Sequence, residues 1–375
     1  MSRSPHLLIV GASVRAAASS ARRAGFAPTA VDLFADRDLS ARFPTHRADR
    51  ETYPVSLAEI AARLTDSPWI YTGAVENHPR LVAQIARRRP LLGIVGDALI
   101  AVRDPRIWTS TLDRAGIPIL ESRQAGDRLP SIGSWLVKPL GSASGHGIRP
   151  WPVGSEPIPV GCHLQSFRRG LSVGATFLGD GRSARLVGLT RQLLGKSDQG
   201  LRVIYRGSIG PWPVAPEVGE VIARMGMILA NEFGLRGLFG IDLIVSSGVP
   251  WPVEINPRYS ASVEVIESAL GLNLIADHAR AFGFDVPTRQ PAHPDRFAAK
   301  LILFARFPGI VPTDWPWTDP TAARPTVADL PAPGTILSPG DPVLTVLARG
   351  ASLASTVDRL RSRASVWRRR IDGWR

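Results

Sequence analysis

Over the first hundred residues, short apolar runs alternate with stretches whose apolar positions recur at helical spacing. Residues 7–10 form an apolar run stopped by Gly11, and 14–24 is an Ala/Arg segment of helical composition. Residues 27–33 read as a second strand carrying Asp32 at its end, 57–64 as a helix and 69–72 as a strand. A helix over 79–88 follows, with Leu81, Val82, Ile85 and Ala86 on one face. Strand–helix alternation of this kind predicts a parallel sheet covered by helices. From about Asp104 the texture changes. A helix over 104–116 ends in glycine, and strands then dominate to about residue 204. A long helix over 214–233 places Val218, Val221, Ile222, Met225, Ile228 and Leu229 on one face. After Pro291 comes a Pro-rich, strand-like tail and a last helix over 353–371. The Pro-Trp-Pro-Val sequences at Pro150, Pro211 and Pro250 are irregularly spaced, which predicts strand edges rather than a repeat.

Length and composition narrow the classes. At 375 residues, with 44% hydrophobic and 21% charged positions, the chain is a folded protein of more than one domain. No stretch approaches ~20 apolar residues, so no membrane span is expected. One cysteine, Cys162, excludes a disulfide scaffold and a Cys-based zinc site. The start of the chain runs directly into the first strand, so a cytoplasmic protein without a signal peptide is expected. The net charge of +13 raises nucleic acid as a partner, but the basic residues are spread along the chain together with abundant Ala, Gly and Pro, as in a GC-rich genome. Lysine is scarce: only Lys138, Lys196 and Lys300 occur. A lysine kept in a glycine-rich setting is therefore informative.

The first turn, after Gly11, lacks the further glycines of a dinucleotide fingerprint. Glu76 and Asn77 follow the strand over 69–72, where open α/β sheets place ligands; Asn77 capping the next helix explains the same residues. Two stretches carry more chemistry. In the first, a strand delivers Lys138 to a loop with Gly141, Ser142, Gly145, His146 and Gly147. Glycines let backbone N–H groups approach phosphate oxygens, and lysine adds a compact charge. The order is not that of a Walker loop, and a mobile hairpin would look the same. In the second, two strands joined by Ser-Ser-Gly place Asp242 and Glu254 on neighbouring strands, with Asn256 and Arg258 following at strand spacing on the face of Glu254. Two carboxylates and an amide oxygen form a hard-oxygen set suited to Mg²⁺, and Arg258 sets a cation beside it. A salt-bridged hairpin is the structural alternative.

Together, Lys-Pro before a glycine loop and Asp followed twelve residues later by Glu-Ile-Asn-Pro-Arg resemble the ATP-grasp superfamily. The tail, with Lys300, Gly334, Gly340 and Thr345 in characteristic surroundings, resembles its branch of biotin-carboxylase-related ATP-dependent carboxylate–amine ligases. The resemblance implies an α/β (α+β) ATP-grasp fold. Residues 1–103 would be a Rossmann-like parallel-sheet domain. Residues 104–290 would be the ATP-grasp domain, with a lid part near 134–166 and a metal-binding part over 167–290. Residues 291–375 would be a small β-rich C-terminal subdomain ending in a basic helix. The cofactors implied are ATP and Mg²⁺, with Mn²⁺ as a substitute.

Lys138 and the loop residues Gly141, Ser142, Gly145, His146 and Gly147 would contact the nucleotide, and Gln165 and Phe167 would lie at the adenine hinge. Asp242, Glu254 and Asn256 would hold metal, and Arg258 would stabilise the phosphoryl group. Glu76, Asn77, Arg191 and Ser260 are candidates on the substrate side. The family's earlier nucleotide lysine falls at Pro105, so Arg103 or Arg106 would substitute, or the contact is lost. The family chemistry turns a carboxylate into an acyl phosphate that an amine captures. It implies small-molecule partners, a homodimer as a possible assembly and a role in methanopterin- or methanofuran-type cofactor synthesis. Carboxylation with bicarbonate, kinase chemistry and a basic nucleic-acid-binding module are the other readings.

Overall fold

The computed structural model describes residues 4–154, 157–197, 199–286, 295–313, 319 and 321–374. The expected boundary at 290/291 lies outside them. In the N-terminal part, β1 (His6–Gly11), β2 (Ala27–Asp32), β3 (Thr45–Arg47) and β4 (Trp69–Tyr71) form a parallel sheet in the order β3-β2-β1-β4. The connecting helices are α1 (Arg15–Arg23), the short α2 (Arg37–Ser40) and α3 (Val55–Arg63), with α4 (Pro79–Ala86) following the sheet. β1 is buried from Leu7 onward, which is why its run is apolar without alternation. Asn77 does not cap α4. It closes a 3₁₀ turn, Val75–Asn77, and His78 takes the cap position without a side-chain bond.

α5 (Asp97–Arg103), absent from the sequence reading, runs into α6 (Pro105–Arg114). The Asp104 carboxylate accepts from the Arg106 N–H, and Pro105 sits where its missing N–H costs nothing. Next comes a sheet of β5 (Ser122–Arg123), β6 (Trp135–Pro139), β7 (Arg149–Trp151) and β8 (Cys162–Ser166), in the order β5-β8-β6-β7. It closes over its own small core of Trp135, Val137, Trp151, Ile158 and Leu164.

The largest sheet is antiparallel. It contains β9 (Leu171–Asp180), β10 (Ala184–Lys196), β11 (Arg202–Gly210), β12 (Arg236–Ser246), β13 (Val249–Asn256) and β14 (Phe297–Phe304). Of the later strands β15 (Gly309–Ile310), β16 (Val327–Ala328), β17 (Ile336–Leu337) and β18 (Pro342–Gly350), β16 and β18 complete it in the order β13-β12-β9-β10-β11-β14-β18-β16. Thus the tail's longer strands continue the central sheet, and only β15 and β17 pair apart. The helices α7 (Pro216–Phe233), α8 (Ala261–Leu270) and α9 (Leu274–Ala281) lie against this sheet and α1, and α10 (Leu353–Asp372) packs on β14 and β18. Two of the Pro-Trp-Pro-Val sites fall on the edge strands β7 and β13, as proline's missing donor requires. Phe177 and Phe239 stack at 5.0 Å between centroids beneath α7, and the Gly226 of that helix leaves room for the Phe177 ring.

Candidate nucleotide and metal site

One cavity gathers the chemistry. Lys138 and Gln165, from β6 and β8, line it together with Asp242, Glu254, Asn256 and Arg258 from the β12–β13 hairpin. Apolar Leu120, Leu136, Ile148 and the exposed edge of Phe167 line it as well. The register explains the meeting. Asp242 pairs directly with Glu254, and Gly240 with Asn256, so alternation puts these side chains on one face.

The electrostatics are uneven. Burial and then the Glu254 carboxylate push Asp242 up to about 7, against Arg258 and hydrogen bonds from Asn256 and Gln192. Gln192 Nε2 donates to Asp242 Oδ1 at 2.7 Å, and Asn256 Nδ2 to Oδ2 at 3.2 Å. For Glu254, burial acts upward but Arg103 and Lys138 outweigh it, so its carboxyl is held below the ordinary range. Lys138 donates to Gln165 Oε1 at 3.1 Å and to the Val253 carbonyl at 3.0 Å. Burial lowers its proton affinity, with Glu254 and Asp242 acting the other way.

Other sequence candidates are placed differently. Arg103 does not line the cavity; it lies behind Glu254, donating to Oε1 at 2.9 Å, to the Ile255 carbonyl at 2.8 Å and to Asn77 Oδ1 at 2.7 Å. Arg106 projects from the first turn of α6, with its side chain 63% exposed. Asn77 Nδ2 donates to the Ser142 carbonyl, tying the N-terminal part to the glycine loop. Glu76 is buried and accepts from Arg258 Nε at 2.8 Å, while Arg258 Nη2 donates to Asn256 Oδ1 at 2.9 Å. The Asn256 oxygen expected to face a cation is therefore turned to Arg258. Ser260 lines the cavity next to α8.

Within the glycine loop, Gly145 lines the cavity, whereas Gly141, Ser142, His146 and Gly147 do not. Gly145 has a φ of +83°, and an added Cβ would stand 2.0 Å from the Val203 carbonyl oxygen. The Ser144 carbonyl accepts from the Tyr205 N–H at 3.0 Å, so the loop is docked on β11. Arg191 faces away: it lies over the Trp212 ring and lines a groove beside α10. Its neighbour Gln192 is the member of the pair that reaches the cavity. Tyr205 and Ser262 were not singled out from sequence; no motif marks them, although both line the cavity.

Residues 106–262 match the family model described as ATP-grasp domain. This region is an ATP-grasp domain. Over 369 residues the chain is 22% identical to an uncharacterized protein of Methanocaldococcus jannaschii, covering 91% of this chain and 88% of that one. Among solved structures, the biotin carboxylase domain of Hydrogenobacter thermophilus 2-oxoglutarate carboxylase, a dimer in complex with MgADP, ADP and bicarbonate, superposes with a TM-score of 0.70 at 13% identity. The match covers 95% of this chain and 88% of that one. An L-amino acid ligase from Bacillus licheniformis gives a TM-score of 0.68 at 14% identity, covering 97% and 98%. The similarity thus extends beyond the ATP-grasp domain to the N-terminal sheet and the tail. Among the described residues, no helix is long and apolar enough to cross a membrane.

The donor set of the ATP-grasp domain can be tested for a divalent cation. Among the described residues no three His, Cys, Asp or Glu side chains cluster as a self-sufficient metal site. Asp242 and Glu254 instead offer hard carboxylate oxygens on directly paired residues that line the same cavity. This fits Mg²⁺, which commonly takes one or two carboxylates and completes its shell with water and substrate phosphate oxygens.

Proposed function

We propose that the chain is an ATP-dependent ligase that activates a small carboxylate, such as an amino acid, and joins it to an amine. The observation that carries this reading is the convergence of Lys138, Asp242, Glu254 and Arg258 on one cavity under a docked glycine loop. In the reaction, a carboxylate oxygen of the acid attacks the γ-phosphorus of ATP, ADP leaves, and an acyl phosphate remains. The amine nitrogen then attacks the acyl carbon, expelling phosphate and losing a proton. The chain sets cations and carboxylates around the cavity, as expected when placement and charge neutralisation supply the catalysis.

Lys138 would set its charge against the phosphates once it leaves the Val253 carbonyl. Arg258, oriented by Glu76 and Asn256, would hold the acid and the phosphoryl oxygens. Asp242 and Glu254 would hold Mg²⁺, which when bound neutralises phosphate charge. Residues 141–147 would keep water from the acyl phosphate. The fold shared with the L-amino acid ligase supports an amino acid as the acid, and the resemblance of the tail extends the proposal to methanopterin- or methanofuran-type cofactor assembly.

The test is Mg²⁺-dependent ADP release with panels of acids and amines, comparing the parent with Lys138→Ala and Glu254→Gln. Both variants are expected to lose most of the rate. Parent-like rates would end the site assignment, and ADP release driven by bicarbonate without an amine would assign carboxylation instead.

A further inference from the structure

A second cleft lies in the C-terminal part, on the far side of the sheet order from the metal hairpin. Its walls come from the start of β14, the approach to β16, the end of β18 and one face of α10. It measures about 550 Å³, within the range of small-molecule sites, and shares no lining residue with the nucleotide cavity. Five arginines line it, Arg296, Arg324, Arg349, Arg359 and Arg363, against a single carboxylate, Asp295.

The arrangement is built rather than scattered. Asp295 bridges Arg324 and, at 3.5 Å, Arg349. Arg349 also donates to Ser268 Oγ at 2.9 Å and to the Pro325 carbonyl at 2.9 Å. Arg359 and Arg363, one helical turn apart on α10, each spend one Nη1 on a backbone carbonyl of β18, those of Arg349 and Leu347. These bonds fix the guanidinium groups while leaving other N–H donors of each fork uncommitted to those carbonyls. Asp295 is shared between Arg324 and Arg349 and Glu264 also acts on Arg349, yet arginines outnumber carboxylates in the lining. Burial lowers the proton affinity of Arg349; the Asp295 and Glu264 carboxylates oppose it, and Arg324 and Arg363 add to it. Arg363 is lowered by burial and then by Arg359. Folding has gathered like charges, a cost that an anion would remove.

We propose that this cleft binds a small molecule bearing clustered phosphates, at a site separate from the nucleotide cavity. Guanidinium forks suit the shape of phosphate oxygens, and the concave wall favours a compact anion over an extended strand. The site does not depend on the ligase reading.

The experiment is calorimetric titration of the full chain with inorganic tripolyphosphate at fixed ionic strength. The comparison includes Arg359→Ala/Arg363→Ala, the charge-matched control Arg361→Ala/Arg368→Ala, and Lys138→Ala to separate the nucleotide cavity. The cleft variant should lose affinity by on the order of tenfold or more, while the control and Lys138→Ala retain it. Equal loss in the control, loss confined to Lys138→Ala, or no binding by the parent would each overturn the proposal. Single-stranded RNA at matched phosphate concentration is the second arm. Weaker binding than tripolyphosphate is expected, and tighter binding abolished by the cleft variant would overturn the small-molecule assignment in favour of a nucleic-acid face.

Discussion

Replacing Glu264 with glutamine tests a buried charge cluster that joins three distant parts of the chain. Glu264 on α8 accepts from Arg15 Nη1 at 2.5 Å and Nη2 at 3.1 Å, and from Lys300 Nζ at 3.2 Å. Arg15 keeps other partners, Asp329 at 2.7 Å and Asp38 at 3.8 Å, whereas Lys300 pairs with Glu264. The side chains of Arg15, Lys300 and Glu264 are 7%, 8% and 17% exposed. Glu264→Gln therefore strands the Lys300 ammonium in the interior, at a cost of about 3–5 kcal/mol of unfolding free energy. Glu264→Gln/Lys300→Met removes the stranded charge as well and should recover all but about 1–2 kcal/mol. Urea unfolding of the parent, both single variants and the double variant closes the cycle.

The pH dependence has a definite sign. Burial acts to raise Glu264, but Arg15 and Lys300 overcome it and hold the carboxyl well below its usual range. Its contribution is thus complete above the unfolded carboxylate value of about 4.3 and fades as pH falls from there toward the folded value. The gap between parent and Glu264→Gln should be flat near neutrality and narrow in acid. A loss under about 1 kcal/mol, or a double variant no more stable than Glu264→Gln, would refute the reasoning.

Gly145→Ala puts a methyl group against the Val203 carbonyl at a positive φ, so the loop must lift from β11. Nucleotide affinity by calorimetry should fall on the order of tenfold or more with little change in melting temperature, because a surface loop moves rather than the core. Asp242, raised to about 7, must lose its proton to take a cation, so Mn²⁺ affinity should climb through pH 6–8, and Glu254→Gln should move that rise to lower pH. His278 accepts the Leu238 N–H at 2.8 Å through Nδ1 and meets the Leu92 carbonyl at 3.0 Å through Nε2. Burial pulls it down to about 4, so it folds neutral and stability should decline as pH drops from about 6.5 toward 4. His278→Ala should cost about 2–4 kcal/mol in urea unfolding and flatten that decline.

What could be read from the chain follows sequence distance. Asp242, Glu254 and Asn256 sit on one hairpin, where a period of two and a Ser-Ser-Gly turn fix their common face. The N-terminal alternation likewise carried over into a parallel sheet, because each strand and helix is patterned locally. Alternation also divides Arg191 from its neighbour Gln192, since adjacent residues on a strand face opposite ways, and it is Gln192 that faces the cavity. Arg103 is a different case. The family spacing falls on Pro105 and offers Arg103 only as a neighbouring stand-in, while its place against Glu254 depends on how α5 packs beside β13. The Arg15–Glu264–Lys300–Asp329 cluster spans more than 300 residues and has no local periodicity to announce it.

Because β11 is hydrogen-bonded on one side to β10 and on the other to β14, it is an interior strand only while the tail is present. The same strand holds the docked glycine loop through Tyr205. A shortened version ending before Phe297 would present β11 as a raw edge, open to pairing with another molecule through the backbone groups that β14 now occupies. Trimming to the family-matched region would therefore yield a self-associating fragment rather than a minimal enzyme, and the last eighty residues act as the selvedge that keeps the central sheet from fraying into its neighbours.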